Sequence, residues 1–152
     1  GDEARRSIDW QILIVIGASL ALGKALDETG AAAAIATSSI GLVGDNPMAL
    51  IAGFFVVTAG FSALISNVAA AVIVFPIAAA ISEQLSISLT PLAITLMIAA
   101  SASFATPIGY QTNLMVYGPG NYRFKDFLKM GVPLTVLVGI TTVLLVPQIW
   151  TF

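Results

Sequence analysis

The sequence predicts an all-α integral membrane fold containing a re-entrant helical hairpin and a broken transmembrane helix. Three observations carry this. Hydrophobic residues make up 58% of the 152 residues and charged ones only 9%, against roughly a quarter charged in soluble domains. Between Asp45 and Arg123 the only formal charge is Glu83, and from Gly131 to Phe152 there is none. Two of the apolar stretches are interrupted by polar residues, at Ser66-Asn67 and at Ala105-Thr106-Pro107.

The elements follow in order. Residues 1–9 read as a cytoplasmic lead-in. Residues 10–30 read as a transmembrane helix with Trp10 at the interface, closed by the polar run Asp27-Glu28-Thr29 and Gly30. The stretch 31–46 is alanine-rich and too weakly apolar to cross alone, so it reads as an interfacial helix. Asp45-Asn46-Pro47 then supplies capping residues and a first-turn proline, opening a hairpin over 47–83 with its tip near 62–68. Its second arm, Val68 to Ile81, counts 14 residues, short against the roughly 20 that span a bilayer. A re-entrant path is tolerated where its backbone is buried in protein or lines a cavity.

Residues 90–121 form the broken helix. Serine, threonine, proline, glycine and amide residues cluster near 105–113, where proline removes a donor and glycine loosens the chain. Residues 122–131, with Arg123, Lys125 and Lys129, read as a cytoplasmic interfacial link, and 132–150 as the last transmembrane helix. Charge tests this path, because cytoplasmic loops carry an excess of Lys and Arg. With the N-terminal end cytoplasmic and the C-terminal end outside, Arg5, Arg6, Arg123, Lys125 and Lys129, five of the six basic residues, fall inside. A hairpin read as one full crossing places the 123–129 cluster outside. Two short full spans satisfy the same rule.

Composition also excludes functions. With a net charge of −2 there is no electrostatic footprint for nucleic acid. No cysteine and no histidine are present, which removes thiolate and imidazole metal sites and His-based catalysis. No nucleophile–base pair is visible, so an enzyme is not expected.

The tip offers hydroxyls, an amide and freed backbone groups. Hard cations take oxygen ligands, and unwound carbonyls supply them without a buried carboxylate. An anion takes donors, which the helix N-terminus near Asn67 presents with its positive dipole end. Paired breaks in hydrophobic segments point to a transporter site. The competing reading is that these polar groups only bond neighbouring helices.

Ile65-Ser66-Asn67, Phe75-Pro76-Ile77, Ala105-Thr106-Pro107 and the later Asn113, in this order and spacing, resemble the C-terminal repeat of the divalent anion:sodium symporter family of sulfate, dicarboxylate and citrate permeases. The resemblance implies one inverted-repeat half of a secondary transporter that uses Na+ as coupling ion and moves its binding elements across the membrane as a unit. Carried over, Ser66, Asn67, Thr106 and Asn113 are expected to contact substrate. Ser62, Ile65 through its carbonyl, Asn67 and Pro107 through its carbonyl are expected to surround sodium. Val68 stands where the family has threonine, and the spacing from Pro107 to Asn113 is longer than in the carboxylate carriers. The stretch from Ser101 to Asn113 looks more like the sulfate permeases.

The expected function is therefore sodium-coupled symport of a small divalent anion, sulfate-type favoured over di- or tricarboxylate, in the plasma (inner) membrane. One copy of each motif implies that the chain is completed by an N-terminal inverted repeat or by a second, antiparallel chain. A homodimer in the lipid bilayer is expected. The alternatives are a cation/proton antiporter or metalloid-oxyanion exporter of the same superfamily, and a non-transporting membrane subunit.

Overall fold

The computed structural model describes residues 46–151 continuously, together with scattered positions between 14 and 41. The lead-in 1–9, the helix 10–30 and the interfacial helix 31–46 lie, apart from those positions and Asn46, outside the described residues. Gly30 is among them, and its φ of 70° is the left-handed conformation expected of a closing glycine.

Asn46 starts the hairpin. Its side chain accepts from Met48 N and Ala49 N at 3.0 and 3.4 Å, occupying donors that a helix start leaves unpaired. Helix α1 runs from there over Pro47–Leu64. Asn46→Ala is expected to lower stability by about 1 kcal/mol, measured as an earlier thermal unfolding transition of the purified protein.

Ile65 and Ser66 adopt extended backbone and form the whole tip, and α2 follows at once over Asn67–Leu85. Ser66 caps it, with its Oγ accepting from Ala69 N at 3.3 Å. At the far end Ser86 takes a φ of 53°, while Ser86 N and Ile87 N donate to the carbonyls of Glu83 and Ser82. That pair of bonds is a Schellman closure. Ser82 Oγ adds a bond to the Ile87 carbonyl at 2.7 Å.

The second arm is thus longer than the sequence suggested, because its helix takes in Asn67 at one end and Ser82 to Leu85 at the other. At 18 and 19 residues, α1 and α2 each extend about 27–29 Å at 1.5 Å per residue. Both are long and apolar enough to cross a membrane.

Helix α3 covers Leu89–Ser101, the chain unwinds over 102–110, and α4 covers Gln111–Tyr117. The break therefore starts three residues before the expected 105 and ends three before 113. Helix α5, Phe124–Ile149, continues without interruption for 26 residues. The expected interfacial link is its first two turns. Asp126 explains this, since its Oδ2 accepts from Arg123 N at 2.7 Å and starts the helix there. Tyr117 and Tyr122 both lie with ring centroids 5.8 Å from Phe127, an aromatic cluster suited to an interface.

Helix α3 packs against α1, α2 and α5, and α1 against α2 and α5. One core cluster joins Leu50, Phe54, Val74, Ile77, Leu92 and Leu96, and a second joins Phe55, Ala59, Ala99 and Ala102. Buried Thr58 and Thr95 return their hydroxyls to the carbonyls four residues back, at 2.8 Å, so neither hydroxyl is left without a partner. Close packing uses Gly139, where a Cβ would lie 2.8 Å from the Phe55 ring. Gly60 has nothing within 4 Å of its Cβ position. It lines an open apolar groove between α1, the break and α5.

The chain is an integral membrane protein. Among the described residues α1, α2 and α5 have the length and composition of membrane-crossing helices. Val136, Leu137, Ile140 and Leu144 lie exposed on α5, as side chains in contact with hydrocarbon do.

Candidate functional site

The break carries its polar residues into contact with the hairpin tip. Ser62, in the last turn of α1, is fully buried, and its hydroxyl donates to the Ala100 carbonyl at the end of α3. Thr106 Oγ1 donates to the Ala63 carbonyl at 2.6 Å and accepts from Gly109 N at 3.2 Å. Asn113 Nδ2 donates to the Thr106 carbonyl at 3.1 Å, bracing the break from its far side. Each bond satisfies a carbonyl or amide that unwinding exposes.

Asn67 lies at the centre. One end of its amide is 2.9 Å from Ser62 Oγ, 3.0 Å from Ser103 Oγ, 3.0 Å from the Ala100 carbonyl and 3.2 Å from the Gly109 carbonyl. Carbonyls only accept, and Ser62 has already committed its one proton to Ala100. The amide end facing this cluster is therefore the nitrogen, which donates. Four neutral oxygens converge on one nitrogen.

Gly109 is required by this arrangement. A Cβ there would lie 2.7 Å from the Ser62 backbone oxygen and 3.1 Å from Ser103 Cβ, so only glycine allows the break to seat on α1. The other side of the break is held by α5. Thr135 Oγ1 donates to the Ala102 carbonyl at 3.0 Å, and Gly131 lies against the Phe104 carbonyl.

The structure brings Ser62, Asn67, Thr106 and Asn113 into one hydrogen-bonded network. Ser66 is exposed beside it as the cap of α2. Ile65 is the end of α1, with its N–H on the Phe61 carbonyl at 2.9 Å, and Pro107 is buried. The carbonyls of Ile65 and Pro107 are not part of the bonds described above. Ala100, Ser103 and Gly109 are, and the sequence did not single them out as site residues. Ser103 and Gly109 were visible only as interruptions of a helix.

The α2 N-terminus starts at this same point. It brings the positive end of a 19-residue helix there, with Ala69 N and Ala70 N bonded to Ser66. Oxygen acceptors and backbone donors thus meet within a few ångströms, and among the described residues no cluster of His, Cys, Asp or Glu could hold a metal instead.

The CitMHS citrate transporter family model matches residues 1–152, the whole chain. The chain belongs to this family of transporters. It is 41% identical over 135 residues to "Probable sodium/sulfate cotransporter 3" of Chlamydomonas reinhardtii, covering 87% of this chain and 15% of that protein. It is 40% identical over 147 residues to "Uncharacterized transporter sll0640" of Synechocystis, covering 95% of this chain and 24% of that protein. A "Sodium-dependent dicarboxylate transporter SdcS" of Staphylococcus saprophyticus is 26% identical over 144 residues, covering 95% of this chain and 28% of that protein. The CitMHS chain described here therefore spans between 15% and 28% of the length of these relatives.

Proposed function

We propose that this chain is the cation- and anion-binding half of a sodium-coupled symporter for a divalent oxyanion, with sulfate preferred over di- and tricarboxylates. The observation that carries the reading is the Asn67 centre, where four uncharged oxygens from α1, the end of α3 and the break converge. A monovalent hard cation suits such a set, because neutral oxygens replace its hydration without burying a counter-charge. Its charge then offsets that of an anion held at the α2 N-terminus by Ser66, the first-turn N–H groups, Thr106 and Asn113. Each ligand raises the affinity of the other by the same factor.

The reading gives sodium the oxygens of Ser62, Ala100 and Gly109, the Asn67 amide oxygen once the amide turns, and the carbonyls of Ile65 and Pro107. The preference for sulfate is supported by the higher identity to a relative named for sodium and sulfate than to one named for dicarboxylate, and by Val68, which offers the anion no hydroxyl. The hairpin enters and leaves from one side, with the N-terminal end cytoplasmic and the C-terminal end outside, in the plasma membrane. An inverted repeat, in the same or a second antiparallel chain, supplies the other half of the pocket, and the assembly is a homodimer.

The test uses the longer protein of which we propose this chain is a part, reconstituted in proteoliposomes. Radiolabelled sulfate should accumulate under an inward sodium gradient, with succinate competing only at about tenfold or higher excess, a discrimination of about 1.4 kcal/mol. Accumulation driven equally well by a proton gradient without sodium overturns the coupling assignment, and stronger competition by succinate overturns the anion.

A further inference from the structure

Ser103 is almost completely buried, at 1% exposure, on the unwound segment directly after α3. Its neighbours explain more than packing. The hydroxyl is 3.0 Å from the Asn67 amide nitrogen and 3.4 Å from the Gly109 carbonyl. With its proton on Gly109, its lone pairs face the nitrogen. Ser62 does the same from the opposite element, giving its proton to Ala100. Two parallel relays result: Asn67 to Ser62 to Ala100, and Asn67 to Ser103 to Gly109. Both amide protons, both hydroxyl protons and both carbonyls are used. The relays fix which end of the amide faces the cluster, since an oxygen there would oppose two carbonyls.

We propose that Ser103 is a positioning and selectivity residue of the cation site, supplying the fourth oxygen both to the Asn67 nitrogen and to a sodium ion that takes the nitrogen's place. This rests on the sodium-coupled reading above. Asn67 Nδ2 marks the point on which the four oxygens converge, and it is a tethered donor that a cation can replace when the amide turns. Ser103 is well suited to this exchange. Its hydroxyl remains on Gly109 in either case, so the lone pairs keep their direction while the occupant changes.

The experiment measures sulfate uptake by full-length protein in proteoliposomes across a sodium series. Ser103→Ala is expected to raise the sodium concentration for half-maximal uptake by about tenfold, the lower end for loss of a ligand-orienting contact. Raising sodium should restore more of the variant's uptake than raising sulfate does, because the loss lies at the cation site. Ser103→Cys, close to serine in volume but presenting a soft, weakly accepting sulfur, should shift sodium dependence in the same direction. It serves if the alanine variant fails to reach the membrane. A purely structural role would instead lower the maximal rate of both variants and leave the sodium dependence unchanged. That result overturns the assignment of Ser103 alone. A parent protein whose uptake ignores sodium overturns this inference together with the sodium-coupled reading.

Discussion

Asn67→Ala is expected to reduce sodium-driven sulfate uptake by about 30- to 100-fold in proteoliposomes of the full-length transporter, and to weaken sodium and sulfate together. The substitution removes a side chain that touches α1, α3 and the break at once. It leaves two carbonyls and two hydroxyls facing a void in a low-dielectric environment. Hydrogen bonds that involve a charged partner contribute about 1.5–3 kcal/mol, equivalent to roughly 10- to 150-fold in affinity. Because the two ligands are coupled, a loss at the cation site appears in the apparent sulfate affinity as well. Equilibrium binding by the purified protein separates this from misfolding: sulfate affinity should be reduced only where sodium is present to support it.

Asn67→Asp divides the two roles. A carboxylate places acceptor oxygens against two carbonyls that only accept, and a bound sodium ion offsets both its charge and that crowding. Sodium binding should therefore survive or tighten. The same negative charge at the first residue of α2 opposes a divalent anion there, so sulfate uptake should remain low. Should both the Asp and the Ala variant keep the parent's sulfate uptake, the Asn67 centre is not the binding site.

Much of this geometry is legible in the sequence, for a definable reason. Local chemistry marks itself: Asn46-Pro47 at a helix start, Ser66-Asn67 at a tip, and the proline and glycine cluster between two helices are all written in side chains or in missing N–H groups. What sequence does not mark is where backbone carbonyls are directed. Ala100 and Gly109 enter the centre only through their main chain, and no residue type announces that. The break begins early at Ala102 because Ser62 and Thr135, distant in sequence, take the carbonyls of Ala100 and Ala102. Helix α5 begins early because one bond, Asp126 to Arg123 N, starts it before the basic stripe ends. Long-range contacts moved the start of the break and a local bond moved that of α5, whereas the order of the apolar helices followed from hydrophobicity and polar interruptions.

Long-range contact also makes Gly131 a sensitive position, although it lies outside the centre. A Cβ there would lie 2.1 Å from the Phe104 carbonyl oxygen, 2.3 Å from its carbon and 2.6 Å from Ala105 Cα. All three atoms are backbone, so no rotamer change relieves the clash, and α5 must move outward by roughly 1.4 Å to restore a van der Waals separation near 3.5 Å. Thr135, one turn further along and on the same face, then loses its 3.0 Å bond to the Ala102 carbonyl. Overpacking costs about 1–3 kcal/mol, and the lost bond adds about 0.5–1.5 kcal/mol. Gly131→Ala should therefore lower the thermal midpoint of the purified transporter by about 3–18 °C, taking roughly 2–4 °C per kcal/mol. Gly60→Ala is the control, since its Cβ meets nothing within 4 Å and alanine is the better helix former; its midpoint should stay level or rise. Equal midpoints for the two variants would falsify the seating of the break on α5. Because that seat also fixes the segment carrying Ser103 and Gly109, the sodium affinity of any folded Gly131→Ala protein should fall with its stability, although Gly131 itself touches no ligand.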